Sequence, residues 1–350
     1  MYINRSGNVD YGSVDFGLWV WRWLQNLGFY RQGKVRVIEM ILNTGSRTDI
    51  PAYYSDWFYN RIKEGYVLSR NPYYPTQVTK YLLNPEVIDI IVFCTKNPLP
   101  MLDRISLLSA FDTFWFVTIT PYDKEIEPYV PPKESVIGYF QKLSELIGKG
   151  RISWRYDPIF ITDKYSVDYH IEQFQRMAKA LSRYTDQCVV SFIDLYEKTK
   201  RNFSGIRSVT NTEQAQIIAV FSEIAKENNL QIHLCCENAG LVRENVDADG
   251  CMSKAVLEKS LGCKLNVPQK KTARAECSCL LGADIGAYNT CGHGCLYCYA
   301  NYDRETVVKN MKLHHASSPL LIGEISENDV IKQAEQKSWK NGQLDFFDLL

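Results

Sequence analysis

The chain has 350 residues, 45% of them hydrophobic, and 40 Lys and Arg balance 40 Asp and Glu, for a formal charge of zero. A neutral chain exerts no global pull on nucleic acid or anionic membrane, and one this long and apolar can bury a large core of its own, which excludes a small module held together by metal alone. Eleven cysteines, with no basic segment, apolar stretch and small-residue cleavage site, argue for a reducing cytoplasmic setting rather than a disulfide-bonded secreted protein.

Residues 1–34 read as an N-terminal extension. The apolar burst Leu18-Trp-Val-Trp-Arg-Trp-Leu24 is too short to span a bilayer and is interrupted by Arg22, so no membrane partner is expected. From residue 35 the chain passes repeatedly from a β-rich apolar run through a polar turn to an amphipathic helical pattern. The expected strands are Val35–Leu42, Val87–Cys94, Thr113–Thr120, Arg151–Tyr156, Cys188–Ile193 and Leu230–Leu234. Between them, helices are expected over Tyr54–Lys63, Pro100–Ser109, Lys133–Ile147, Ser166–Tyr184 and Thr212–Glu227. The apolar runs lack strict polar alternation, as befits parallel strands covered on both faces.

These units predict an α/β fold: a complete or partial TIM-like barrel with a C-terminal cysteine-rich iron-sulfur segment, a doubly wound open sheet being the rival. Residues 35–239 form the expected core, 240–325 a cluster-binding region completing the site, and 326–350 a tail. In a parallel barrel the polar residues after each strand share one rim. They include Ser46, Arg47, Thr48 and Asp49; Thr95, Lys96 and Asn97; Thr120 and Tyr122; Arg155, Tyr156 and Asp157; Asp194; and Glu237. The competing structural role is capping and chain reversal, signalled by Ile50-Pro51 after Asp49 and Pro158 after Asp157.

The stretch Thr290-Cys-Gly-His-Gly-Cys-Leu-Tyr-Cys-Tyr-Ala-Asn301 places Cys291, Cys295 and Cys298 at a spacing that lets three thiolates converge on one inorganic centre. Gly292 and Gly294 would let the backbone turn tightly, and Tyr297 or Tyr299 could shield the centre. Zinc, with His293 or another cysteine as fourth ligand, is the alternative. Cys236, Cys251, Cys277 and Cys279 could supply an auxiliary iron-sulfur or zinc site, or be ordinary buried cysteines. Cys94 and Cys188 read as core. Cys235 is a weaker candidate, expected to face away from Cys236 if strand alternation persists.

The spacing Cys291-Gly-His-Gly-Cys295-Leu-Tyr-Cys298 resembles the radical S-adenosylmethionine signature. Arg47-Thr-Asp-Ile-Pro51, Thr95-Lys-Asn-Pro98, Trp154-Arg-Tyr-Asp-Pro158 and Asp284-Ile-Gly-Ala-Tyr288, with the cysteine motif, resemble the family called domain of unknown function 1848 over residues 38–325. The radical-enzyme resemblance implies a [4Fe-4S] cluster, S-adenosyl-L-methionine at its open iron, hydrogen abstraction from an organic substrate, and reduced ferredoxin or flavodoxin as electron donor. It departs from that pattern in two ways: the cysteine loop follows six strands rather than one, and no Gly-Gly-Glu stands after the second strand.

Under this reading Arg47, Lys96, Tyr122, Tyr156 and Tyr297 are cofactor-binding candidates, by pairing with carboxylate or phosphate, stacking on adenine, or shielding the cluster. Asp49, Arg155, Asp157, Asp194 and Glu237 are catalytic candidates, for orienting the substrate or moving a proton. The rival role for these residues is an ion-pair network across the rim. Two other functions are weighed: an iron-sulfur electron-transfer or sensor protein, and, less favoured, a zinc-stabilised nucleic-acid binder using the basic run near Lys309 and Lys312.

Overall fold

The computed structural model describes residues 37–38, 40–267, 279–280 and 282–341. Its centre is an eight-stranded, all-parallel sheet. In chain order the strands are β1 (Ile41–Asn43), β2 (Ile90–Thr95), β3 (Thr113–Thr118), β4 (Ile152–Ile159), β5 (Gln187–Phe192), β6 (Gln231–Leu234), β7 (Val246–Asp247) and β8 (Ala283–Asp284). They lie in the order β7-β6-β5-β4-β3-β2-β1-β8. Each strand up to β7 sits beside its predecessor, and β8 returns to the free edge of β1, pairing Ala283 with Leu42 and Asp284 with Asn43.

β7 and β8 do not pair with each other, so the sheet is open and the expected closed barrel is corrected. The doubly wound alternative also differs, because no strand order reverses within the run from β1 to β7. What survives is the consequence that matters for function: all eight strands point one way, and their C-terminal ends share one edge.

The strands form because β-branched and aromatic residues dominate them. β3, Thr-Phe-Trp-Phe-Val-Thr, is buried along nearly its whole length, as a strand covered on both faces must be. The helices, beginning with α1 (Ser55–Glu64), show the complementary period. In α2 (Lys133–Ile147), Val136, Phe140, Leu143 and Ser144 are buried, and the helix stops at Gly148. In α3 (Val167–Leu181), Ser166 caps the Tyr169 N–H, and His170, Phe174, Met177, Ala178 and Leu181 face inward. A capping box, Thr210 with Glu213, starts α4 (Asn211–Glu227). Phe174 of α3 stacks on Phe221 of α4 at 3.8 Å between ring centroids, and each such side chain contributes about 1.5–3 kcal/mol by leaving water.

Several boundaries differ from expectation. The first strand is confined to Ile41–Asn43, and Val37–Ile38 instead pairs with Glu335–Gln336. The helix expected over Pro100–Ser109 is two short pieces, Leu99–Leu102 and a 3-10 turn Ile105–Leu108. A three-stranded sheet of Tyr66–Arg70, Gln77–Leu82 and Val330–Gln333 was not anticipated; Val330–Gln333 is exposed along its length and carries no apolar alternation to announce it. Among the described residues no helix is long and apolar enough to cross a membrane.

Candidate functional site

Asp49 stands just beyond β1 and fixes three segments at once. Its carboxylate caps the helical turn Ile50–Tyr53 by accepting from the Ala52 N–H at 3.0 Å. It also accepts from the Lys96 N–H beyond β2 at 2.8 Å and from His293 Nε2 at 2.8 Å. With Nε2 donating, the other ring nitrogen accepts from the Tyr53 hydroxyl at 3.1 Å. Burial, followed by the fields of Cys291 and Asp49, pushes the Tyr53 hydroxyl far up, so it keeps its proton and remains a donor.

This chain of contacts pins the cysteine loop. The Tyr54 hydroxyl donates to the Thr290 carbonyl at 2.7 Å, the Tyr129 N–H to the His293 carbonyl at 3.1 Å, and the Leu296 N–H to the Ile126 carbonyl at 3.0 Å. A Cβ on Gly292 would lie 2.6 Å from the Tyr53 ring, and Gly294 adopts φ 69°, a conformation that favours glycine. Both glycines therefore serve close packing and a tight turn.

A second cluster surrounds Glu127, in the irregular segment between β3 and α2. Its carboxylate is 1% exposed and accepts from Lys96 Nζ at 2.8 Å, from the Thr120 hydroxyl at 2.7 Å, from Lys133 and from the Tyr297 hydroxyl. Burial alone would raise its pKa, but the Lys96 and Lys133 ammonium groups outweigh that and hold it at about 2. Burial opposes the charge on Lys96, which Glu127 restores and raises. Lys133 is lowered, first by burial and further by its like-charged neighbour Lys96, although Glu127 pulls the other way. Beside this cluster opens a cleft of about 200 Å³ whose lining includes Tyr122, Asp123, Lys124, Glu127, Val130, Pro132 and Lys133, Asp123 being paired with Lys164.

A third group lies within β4 and β5 and just beyond β6. Asp157 accepts from Arg155, with Nε at 3.2 Å, and from the Ser191 hydroxyl. Glu237 accepts from the Phe192 N–H at 2.7 Å. Its own pKa is pushed up to about 8, chiefly by burial and further by the carboxylates of Asp194 and Asp157, against the opposing effect of that N–H. It is a carboxylic acid at neutral pH.

The remaining candidates are more dispersed. Arg47 pairs with Asp284 of β8 at 2.9 Å, tying β1's loop to the last strand. Asp194 is exposed and accepts from Tyr196 at 3.3 Å. Tyr156 is fully buried, its hydroxyl against His170 Nδ1 at 2.8 Å. Tyr122, equally buried, donates to the Pro158 carbonyl at 2.8 Å and stacks on Phe160 at 4.1 Å, forming the inner wall of the cleft.

Ten described cysteines are present and none is disulfide-bonded; Cys277 lies outside the described residues. Burial, then Asp49, raises Cys291 well above an ordinary thiol, and burial, then Glu127, does the same for Cys295. Among the described residues no group of three or more His, Cys, Asp or Glu side chains is arranged to hold a metal ion. The expected [4Fe-4S] cluster on Cys291, Cys295 and Cys298, and the auxiliary iron-sulfur or zinc site, are therefore corrected, and with them the S-adenosyl-L-methionine that an open iron would bind. The local reason is visible in the loop: His293 is engaged by Asp49 and Tyr53, and the glycines pack against tyrosine rings. The readings as a radical enzyme, an iron-sulfur carrier or sensor, and a zinc-stabilised nucleic-acid binder all required such a centre and are withdrawn.

The family model described as "Domain of unknown function (DUF1848)" matches residues 41–300. The chain belongs to this family. The DUF1848 match starts at the first residue of β1 and runs past Cys298, so it spans the whole parallel sheet and the loop over its edge. No curated protein and no solved structure matches the chain, and nothing found links this DUF1848 protein to the radical S-adenosylmethionine superfamily.

Sequence patterns missed Tyr53, Glu127, Lys133 and Ser191, and gave Cys235 only as a weaker candidate. Glu127 sits in a segment with neither helical nor strand period, so no pattern marked it. Lys133 was legible only as the first residue of a helix. Cys235 was expected to turn away from Cys236, but Cys236 adopts φ 61°, which ends the strand alternation. The signal available was the Cys235-Cys236 pair itself, at the end of an apolar run.

Proposed function

We propose that this protein binds a small organic acid at the C-terminal edge of its sheet, in the cleft beside Lys96, Glu127 and Lys133. The observation that carries the reading is one buried carboxylate shared by two ammonium groups, with Lys133 on the cleft wall and Lys124 beside it. One carboxylate cannot neutralise both, and a ligand anion supplies the missing charge where water is largely excluded. The apolar lining of Tyr122, Val130 and Pro132 suits a ligand with a carbon body. Ten described cysteines without a disulfide support a reducing, cytoplasmic setting. With the radical chemistry withdrawn, we do not propose an electron donor such as ferredoxin or flavodoxin.

The test is calorimetric titration of the full chain with succinate, pyruvate and inorganic phosphate. Binding of a carboxylate that weakens roughly tenfold or more in Lys133→Met supports the reading. Failure of all three probes, or binding that Lys133→Met leaves unchanged, refutes it.

Glu237 favours a second reading, proton exchange with a bound ligand. An acid whose pKa is about 8 stands near Asp157, which accepts from Arg155 and Ser191, and carboxyl groups set apart in this way divide acid and base roles. Exchange of the pyruvate methyl protons for deuterium, followed by NMR and abolished in Glu237→Gln, supports it; exchange no faster than in buffer refutes it.

A further inference from the structure

Three sulfurs, from the segment after β6, the segment after β7 and the segment before β8, meet. Cys235 Sγ lies 3.7 Å from Cys251 Sγ, which lies 3.6 Å from Cys279 Sγ. Cys236 also reaches the Cys235 sulfur. These residues come from segments separated by long stretches of chain, yet their placement is tightly held. The Met252 N–H points to Cys279 Sγ at 3.3 Å, the Leu280 N–H bonds the Met252 carbonyl at 2.8 Å, and Arg155 Nη1 stands 3.8 Å from Cys251 Sγ. Cys251 and Cys279 are buried, whereas Cys235 is only half-buried.

We propose that these cysteines form a redox-active thiol centre, in which Cys235 is the sulfur that meets a hydroperoxide and Cys251 the one that resolves it as a disulfide. Contact distance is already reached, and side-chain rotation is what remains to bring two sulfurs to bonding distance of about 2.05 Å. Cys235 is the less buried residue of the pair and is assigned the oxidant-facing role, with the buried Cys251 as its resolving partner. Arg155 Nη1, 3.8 Å from the Cys251 sulfur, places a cation beside the pair, where it favours a thiolate.

The chemistry balances without a further reactant. The Cys235 thiolate attacks the distal peroxide oxygen, the O–O bond breaks, and the leaving alkoxide or hydroxide takes a proton; Cys235 becomes a sulfenic acid. The Cys251 sulfur then attacks Cys235, forming the S–S bond as the hydroxyl departs with the Cys251 proton as water. Two thiols supply two electrons and the hydroperoxide accepts them. A small thiol such as glutathione resets the centre by exchange.

The experiment uses the full chain, reduced and desalted without oxygen, with its zinc and iron content measured first. A single equivalent of hydrogen peroxide is added, and thiol titration is combined with peptide mass mapping. The expected result is loss of one pair of thiols, a Cys235–Cys251 cross-linked peptide, and full reversal by dithiothreitol. Cys235→Ser abolishes the fast loss. Cys188→Ser, in the core of β5, behaves as the parent chain. Circular dichroism identifies any variant that fails to fold, in which case the parent cross-link map decides. Unreactive thiols, scattered cross-links, or stoichiometric metal released only when Cys235 or Cys251 is replaced would overturn the proposal, the last by showing a metal centre instead.

Discussion

His293 and Asp49 stand 244 positions apart in sequence and meet at 2.8 Å, both nearly excluded from solvent. Through this contact the loop carrying Cys291, Cys295 and Cys298 is fastened to the turn that follows the first strand, so the late segment is built into the sheet's functional edge.

That contact predicts a graded loss of stability. His293→Ala removes one charge-assisted hydrogen bond and leaves Tyr53 without its acceptor, costing about 1–3 kcal/mol. Asp49→Ala removes the acceptor for Ala52, Lys96 and His293 together and costs more. Urea denaturation ranks the two, and faster amide exchange over residues 290–298 in both variants is the accompanying sign. Equal stability of the variants and the parent chain would contradict the fastening role.

Gly292 offers a steric test of the same loop. A methyl group there meets the Tyr53 ring at 2.6 Å, and displacing that ring breaks its bond to His293. Gly292→Ala is expected to destabilise by about 1–3 kcal/mol. Adding Tyr53→Ala removes the clashing ring, so the double variant should lose less than the two single losses added together. Simple additivity would show that the ring and the glycine do not compete for one space.

Glu127 predicts an acid-dependent contribution. Its folded pKa of about 2 lies below the ordinary 4.5, so the native state binds fewer protons than the unfolded chain between these values. The stabilisation is present above about 4.5 and is lost as the pH falls towards 2; it is on the order of 3 kcal/mol. Glu127→Gln should therefore be least stable relative to the parent at neutral pH, with the gap closing on acidification. A gap independent of pH would contradict the ion cluster.

Much of the sheet could be read from apolar runs because burial on both faces leaves a continuous hydrophobic record. Val87–Cys94 anticipated β2 at Ile90–Thr95, and Lys133–Ile147 coincides with α2. The open edge could not be read, because closure depends on whether β7 and β8 meet, and two-residue strands carry no period. At the site, Lys96 and Glu237 were visible as polar residues after strands, and Arg155 and Asp157 as polar residues near a strand end, although β4 runs on through both to Ile159. Glu127 was not, since an irregular segment reveals its buried carboxylate only once lysines from two other segments are seen to converge on it. The cysteine spacing misled in a different way: proximity in sequence showed that thiols were close, but the buried ring of His293 and the packing of Gly292 determine how the loop is used.

Glu237 predicts the opposite pH slope to Glu127. Its folded pKa of about 8 lies above 4.5, so the native state binds more protons and its stability falls as pH rises between those values. Glu237→Gln, which cannot ionise, should gain melting temperature relative to the parent across that window, with little difference below it. A constant offset would contradict the raised pKa.

The central claim is that the C-terminal edge of the sheet holds an anionic ligand against the lysines that share Glu127. The most direct measurement is NMR of the full chain with 13C-labelled lysine methyl tags, titrated with succinate and assigned with Lys96→Met and Lys133→Met. The account predicts saturable shifts concentrated at Lys133 and Lys96, abolished at high salt. Shifts spread evenly over surface lysines, or none at Lys133, would contradict it.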